Sequence, residues 1–275
     1  MSPSWRDQIR ISLSPSHVAL LRYGKGLKPR LTAKTAVACP AGAGAAPWSG
    51  ALTALADLLS KPEWQRGDAS VVVSNAFARF QLLPWNEHIS GEEEQRSFAR
   101  HKLAAVYGDS SEWEIRIAEG NAGTENLVCG MHFKLLESIT TCCSKHGVRL
   151  RSLQPYLMAA YNHVRQELAQ GNIWFAVAEA ERICLMRLEN GTWRSIHCRS
   201  LNSDDYLAAL VTVNEREQQL AGLDGQTDIT VLYAPGVTPA SLASIAHKKF
   251  KLVGPASKSS LDWRTDAPFA MAAST

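Results

Sequence analysis

Apolar residues alternate at the start of the chain: Ile9, Ile11 and Leu13, a Ser-Pro-Ser break, then Val18, Leu20 and Leu21. A period of two places side chains on one face of a strand, so two such runs around a short polar break predict a hairpin. Gly24-Lys25-Gly26 turns the chain into a third strand over Leu31 to Cys39. After a Gly/Ala/Pro loop from Pro40 to Pro47, the spacing changes to three and four: Trp48, Leu52, Leu55, Leu58 and Leu59 predict an amphipathic helix.

Val71-Val72-Val73 reads as a buried strand, and Phe77 to Leu83 as another, closed by Pro84. Ser90 with Glu93 has the form of a capping box. It would open a helix that buries Ala99, Leu103, Val106 and Tyr107. Strands near Trp113 to Ala118 and Leu127 to Cys129 precede a helix with His132, Leu135, Leu136, Ile139, Cys142 and Cys143 on one face, ended by Gly147. Val148 to Leu153 and a helix begun by Pro155 complete the first half.

The pattern then restarts. Ile173 to Val177, Ile183 to Leu188 and Trp193 to Cys198 read as three strands, the last two joined by the hairpin signal Asn190-Gly191. A helix capped by Ser203, a strand at Ile229 to Tyr233, a helix begun by Pro239, a strand at Phe250 to Val253 and a last helix at Ala267 to Ala273 follow. Each half reads βββαβαβα once Phe77 to Cys129 is set aside as an insertion. The expected organisation is a lobe at 1–170 carrying an inserted α+β block at about 77–130, and a second lobe at 171–275.

Composition narrows the function classes. With 45% hydrophobic and 20% charged residues the chain is that of an ordinary globular protein. A net charge of +3 without a long basic run argues against nucleic acid. No apolar stretch approaches the ~20 residues of a membrane helix, and Met1 to Arg10 lacks the apolar core of a signal peptide. These readings place the chain in the cytoplasm. The six cysteines include no CxxC pair, so reduced thiols are expected and zinc is not.

No complete catalytic motif is present. Gly42-Ala43-Gly44 has Pro47 where a dinucleotide fingerprint needs Gly or Ala. Gly24-Lys25-Gly26 lacks the spacing of a phosphate-binding P-loop, and GxSxG and HExxH are missing. His132 reads as a hydrogen-bonded core histidine on a helix face. Glu179 and Glu181 read either as an acid/base pair or, more simply, as solvated charge at a strand end.

The doubled element order with one insertion resembles the two-lobed actin-like ATPase fold (actin, Hsp70 and sugar kinases). Within it, the chain is similar to the actin-like cytoplasmic proteins of type IV pilus assembly and to the cytoplasmic part of the L-type inner-membrane protein of type II secretion. The stretch Ser74-Asn75-Ala76-Phe77-Ala78-Arg79-Phe80-Gln81-Leu82-Leu83-Pro84-Trp85 is similar to a strand-pair segment of the latter. In active members of the fold, the resemblance implies an Asp and Gly turn that holds Mg and phosphate. Here that turn is Leu13-Ser14-Pro15-Ser16. The second hairpin, Asp-x-Gly in the family, is Val177 to Arg182 with Glu179 and Glu181, and the adenosine loop is Tyr233-Ala234-Pro235-Gly236. Phosphate oxygens need close backbone N–H groups and the metal needs a carboxylate. Ser14, Ser16, Glu179, Glu181 and Gly236 are therefore expected to be vestiges of a nucleotide site, without cofactor, metal or catalytic residue.

The resemblance implies a catalytically silent scaffold of a pilus or secretion machine. Its expected partners are a membrane-anchored assembly protein offering a cytoplasmic peptide, or an assembly ATPase, and it would reach the membrane through such a partner. The alternative is a nucleotide-dependent member of the fold, an ATPase or small-molecule kinase using Mg-ATP through divergent loops. Phe77, Arg79, Phe80 and Trp85 are the partner-binding candidates, because Trp and Arg anchor interfaces and one strand cannot turn all of them inward. The competing reading packs alternate members of this strand into the core of the block.

Overall fold

The structure is a computed structural model and describes residues 6–40, 46–89, 91–118, 120, 122–166, 168, 171–179, 182–200, 206–222, 229–234, 250–253, 261 and 266–275. The opening alternation forms β1 (Gln8–Leu13) and β2 (His17–Tyr23), paired antiparallel, and β3 (Leu31–Ala38) adds to β2. α1 (Ser49–Ser60) then crosses to β4 (Asp68–Val73), which lies parallel to β1 on its other side. The insertion follows as β5 (Ala78–Leu83), α2 (Glu92–Tyr107), β6 (Trp113–Ala118) and β7 (Asn126–His132). α3 (Phe133–Lys145) leads to β8 (Arg149–Pro155), parallel to β4, and to α4 (Tyr156–Val164).

The second half repeats this plan. β9 (Asn172–Glu179), β10 (Arg182–Glu189) and β11 (Thr192–Ser200) form an antiparallel meander; α5 (Tyr206–Leu220) leads to β12 (Ile229–Tyr233), parallel to β9, and β13 (Phe250–Val253) lies parallel to β12. The sheet orders are β3-β2-β1-β4-β8 and β11-β10-β9-β12-β13, the same path twice, with β5-β7-β6 as a separate three-stranded sheet. The doubled plan and the inserted block are thus present as the sequence predicts. The expected Ser203 cap, the helix begun by Pro239 and the Ser90 cap lie outside the described residues; α2 begins after Gly91.

One apolar core joins the inner faces of both large sheets. Ile9, Ile11, Leu13, Val71 and Val73 contribute from the first, Phe175, Val177, Cys184 and Met186 from the second. α4 is wedged between them, its Tyr161 ring 6.4 Å from Phe175 and 4.5 Å from Trp193. The outer face of the second sheet (Trp174, Ala176, Leu185, Leu232) is covered by α5 through Leu210. The outer face of the first is covered by the last helix, α6 (Ala270–Ala273), where Ala272, Ala273 and Phe269 meet Ala19 and Leu21. The end of the chain, assigned by its sequence to the second lobe, therefore packs on the first sheet.

Three local expectations need correction. Val106 is 60% exposed and Tyr107 39% exposed, while Ala99 and Leu103 are buried, because Ala99 and Leu103 form the face of α2 that packs on Leu83, Ile115 and Val128 of the small sheet. His132 is not on a helix face but caps α3: its Nδ1 accepts from the Lys134 N–H and its Nε2 lies 2.8 Å from Glu112. Cys184 and Cys198 face each other across β10 and β11 with Cα atoms 4.2 Å apart and are joined as a disulfide, so the six thiols are not all reduced. Cys39, Cys129, Cys142 and Cys143 are free.

Candidate functional site

In open α/β sheets, ligand sites form beyond the carboxyl ends of the parallel strands, where backbone N–H groups of the following turns point outward. Here those ends belong to β1, β4 and β8 in the first sheet and to β9 and β12 in the second. The crevice they define is closed by the protein's own side chains.

Ser74 and Asn75 follow the end of β4 and open a short 3₁₀ turn, Asn75–Phe77, capped by the Ser74 hydroxyl, which accepts from the Ala76 N–H. Four hydrogen bonds leave this pair in different directions. Ser74 N–H donates to the Leu13 carbonyl at the first hairpin, 2.7 Å. Asn75 Oδ1 accepts from the Leu157 N–H in the first turn of α4, 2.8 Å. Asn75 N–H donates to Glu179 Oε1 at the end of β9, 2.9 Å, and Ser74 Oγ donates to Glu179 Oε2. One carboxylate from the second sheet thus occupies the outward donors at the end of the first. Glu179 is not the solvated strand-end charge its sequence position suggests. Burial pushes its pKa up, opposed in part by the bonds from Ser74 and Asn75 and by the charge of Arg182, its cross-strand neighbour.

The turn between β1 and β2, Ser14 to Ser16, is closed on itself. Ser14 is buried; its N–H donates to the His17 carbonyl, and its hydroxyl stands 2.9–3.3 Å from the His17 carbonyl, His17 Nδ1, the His17 N–H and Ser16 Oγ. Ser16 is exposed and its carbonyl accepts from the Cys39 N–H. At the end of β12, Tyr233 is fully buried, 5.9 Å edge-to-face from Tyr156. Its hydroxyl has no hydrogen-bond partner among the described residues, and neither has the buried Nδ2 of Asn75. Glu181 and Gly236 lie outside the described residues.

The partner-binding candidates separate. Phe77 and Phe80 are buried at 5% and 3% exposure and belong to the main core, so neither is an exposed anchor. β5 is covered on both faces: Phe80 packs into the main core and Leu83 against α2. Phe77 meets Trp48, 6.4 Å edge-to-face, and Trp48 also meets the His132 ring at 4.9 Å in a tilted arrangement. Trp85 is 49% exposed and lies beyond the other end of β5, up to about 26 Å from Phe77 at ~3.3 Å per extended residue. Arg79 is half-buried, its guanidinium 5.8 Å from the Tyr107 ring and 5.7 Å from the Trp113 ring. Ser74 and Asn75 enter the sequence reading only as part of the stretch that carries the resemblance, and their contact with Glu179 is not signalled there.

Among the described residues no group of three or more His, Cys, Asp or Glu side chains is placed to hold a metal ion, and no helix is long and apolar enough to cross a membrane.

Two sheets of identical order, joined at their facing carboxyl ends and interrupted by one inserted block, define the actin-like fold. Comparison with solved structures agrees. The chain is similar to a chain of the PilM–PilN type IV pilus biogenesis complex, with 14% identity, 97% of this chain and 96% of that one covered, and a TM-score of 0.70. It is also similar to the cytoplasmic domain of EpsL, an inner membrane component of the type II secretion system of Vibrio cholerae (9% identity, 90% of each chain, TM-score 0.58). A Bacteroides thetaiotaomicron protein of actin-like ATPase fold and unknown function aligns at 10% identity over 90% of this chain and 91% of that one, with a TM-score of 0.60. No family model and no curated protein sequence matches.

Proposed function

We propose that this chain is a nucleotide-independent, actin-like scaffold that binds protein components of a pilus- or secretion-type assembly machine. The observation that carries the reading is the Glu179 bridge: the donors that would face a phosphate are occupied by an internal carboxylate, so the two sheets are held together without a ligand. The self-bonded Ser14 turn and the lack of an Asp or Gly there support it. The similarity to the PilM–PilN complex and to the EpsL cytoplasmic domain supports the kind of machine. In this reading the chain works in the cytoplasm and reaches the membrane through a membrane-anchored protein that offers a peptide, or through an assembly ATPase. The peptide lies along the junction of the inserted block and the first sheet, where the Trp48 and His132 rings meet and Phe133 is 42% exposed.

The test is capture of partners from a detergent-solubilised membrane fraction, with and without enzymatic removal of ATP. The scaffold reading expects one envelope-assembly protein to be retained equally in both arms. Capture that disappears when ATP is removed contradicts it.

A second reading has its own observation. Among the described residues, Asn75 Nδ2 and the Tyr233 hydroxyl are buried polar groups without partners beside the crevice, and such groups normally find a ligand, a water or a protein acceptor. A polar ligand, Mg-ATP included, would satisfy them. Opening the crevice to it would require Glu179 to release Ser74 and Asn75.

A further inference from the structure

Beside the Glu179 bridge, the inserted block and the second sheet meet where β5 and β11, each an edge strand, run past one another. Two guanidinium groups stand at this seam. Arg79, on β5, spends Nη1 on the carbonyls of Ala76 and Ala78, at 3.1 and 2.9 Å. Its remaining edge, Nε and Nη2, has no acceptor among the described residues. Arg182, at the start of β10, makes a 3.3 Å hydrogen bond to the Ser200 hydroxyl. Neither forms an ion pair among the described residues: Glu179, the cross-strand neighbour of Arg182, spends its carboxylate oxygens on Ser74 and Asn75, and Arg199 is paired with Glu217 at 3.1 Å.

Like charges held close together are unfavourable unless an anion joins them. Arg182 and burial both act to lower the pKa of Arg79, with burial the larger effect. The Arg79 guanidinium lies against the Tyr107 and Trp113 rings, which stack on each other at 6.3 Å, and the Tyr107 hydroxyl donates to the Phe80 carbonyl at 2.9 Å. The free guanidinium edge is thus pre-oriented, as bidentate carboxylate binding requires. Beside it, Val106 and Tyr107 leave apolar surface uncovered at the end of α2.

We infer that the Arg79–Arg182 seam, with Tyr107 and Trp113 as its aromatic wall, binds a carboxylate-bearing segment of a protein partner. A cationic site beside exposed apolar surface suits an acidic peptide that also carries apolar side chains, and suits a fully hydrophilic phosphate less well. The inference rests on the scaffold reading only in taking the occupant to be a protein.

The experiment is fluorescence anisotropy of a labelled peptide, Glu-Glu-Leu-Glu-Glu, with the purified full chain at low salt. R79Q and R182Q are each compared with wild type and with R149Q/R151Q, which removes arginines already paired with Asp68. The expected result is about a tenfold loss of affinity for each seam variant, the effect of one charge-assisted contact, and little change for R149Q/R151Q. R182Q keeps the test open if R79Q, which also loses two backbone contacts, unfolds. Equal losses in all variants would reduce the binding to net charge and overturn the site, as would no binding by wild type. Competition by inorganic pyrophosphate at lower concentration than the unlabelled peptide would overturn the assignment to carboxylate.

Discussion

The carboxylate of Glu179, at the end of the first strand of the second sheet, accepts hydrogen bonds from Ser74 Oγ and from the Asn75 N–H at the end of β4 in the first. Ser74 in turn donates to Leu13 and Asn75 accepts from Leu157, so one bridge ties the first hairpin, α4 and the second sheet together. The turn at the end of β4 thereby has its outward donors taken by an internal carboxylate.

Removing the bridge should therefore loosen the crevice. Glu179→Ala leaves the Ser74 hydroxyl and the buried Asn75 N–H without their acceptor, a cost of ~1–3 kcal/mol. For a chain of this size that is a fall of several degrees in Tm. Glu179→Gln keeps an acceptor for Asn75 and a group that can bond Ser74, and should unfold within a degree or two of wild type. Thermal unfolding of the two variants measures the difference.

The same pair predicts a pH dependence. Burial raises the Glu179 pKa above the ordinary value of 4.5, so the folded state holds this proton more tightly than the unfolded chain. Its contribution is complete below pH 4.5 and is lost as pH rises through the raised value. Relative to Glu179→Gln, wild type should lose stability from about pH 4.5 upward and then level off. Parallel curves for the two proteins over that window would remove Glu179 as the titrating group.

Tyr233→Phe deletes a buried hydroxyl that has no partner among the described residues. Losing an unsatisfied group should leave stability unchanged or raise it by up to ~1 kcal/mol. A clear drop in Tm, measured by calorimetry, would mean that the hydroxyl has a partner, as the ligand-bound reading requires.

Trp85, half exposed and without a place in the described core clusters, should tolerate replacement by Ala with less than ~0.5 kcal/mol of destabilisation. If the peptide of a membrane partner lies along the inserted block, Trp85→Ala also weakens its capture several-fold in a pull-down. Unchanged capture removes Trp85 from the docking surface and leaves the junction of Trp48, His132 and Phe133.

The order of elements was legible in the sequence because hydrophobic period survives local error. Asn190 and Gly191 announce their hairpin by chemistry alone, and both adopt the positive φ values, 48° and 77°, that such a turn demands. The site was less legible because its groups meet from far apart: Glu179 reaches partners 104 and 105 residues away. Phe77 and Phe80 are buried for different reasons: Phe80 faces the main core from β5, while Phe77 packs on Trp48 from the 3₁₀ turn before it, where strand alternation does not apply. The Cys184–Cys198 pair shows how fine the limit is. Counting outward from Asn190-Gly191 pairs Cys184 with His197, and only the register shift between Arg187 and Leu188 brings Cys198 opposite it.

The most direct test of the central claim, that this crevice is closed by Glu179 and needs no nucleotide, is a thermal-unfolding scan of the purified chain with and without millimolar Mg-ATP, against ADP and buffer. A ligand at a hundred times its Kd would stabilise the native state by about 2.7 kcal/mol, a rise of several degrees. The account predicts the same Tm in all arms. A Mg-dependent rise with ATP would contradict it and make a nucleotide switch, with Glu179 displaced from Ser74 and Asn75, the leading description.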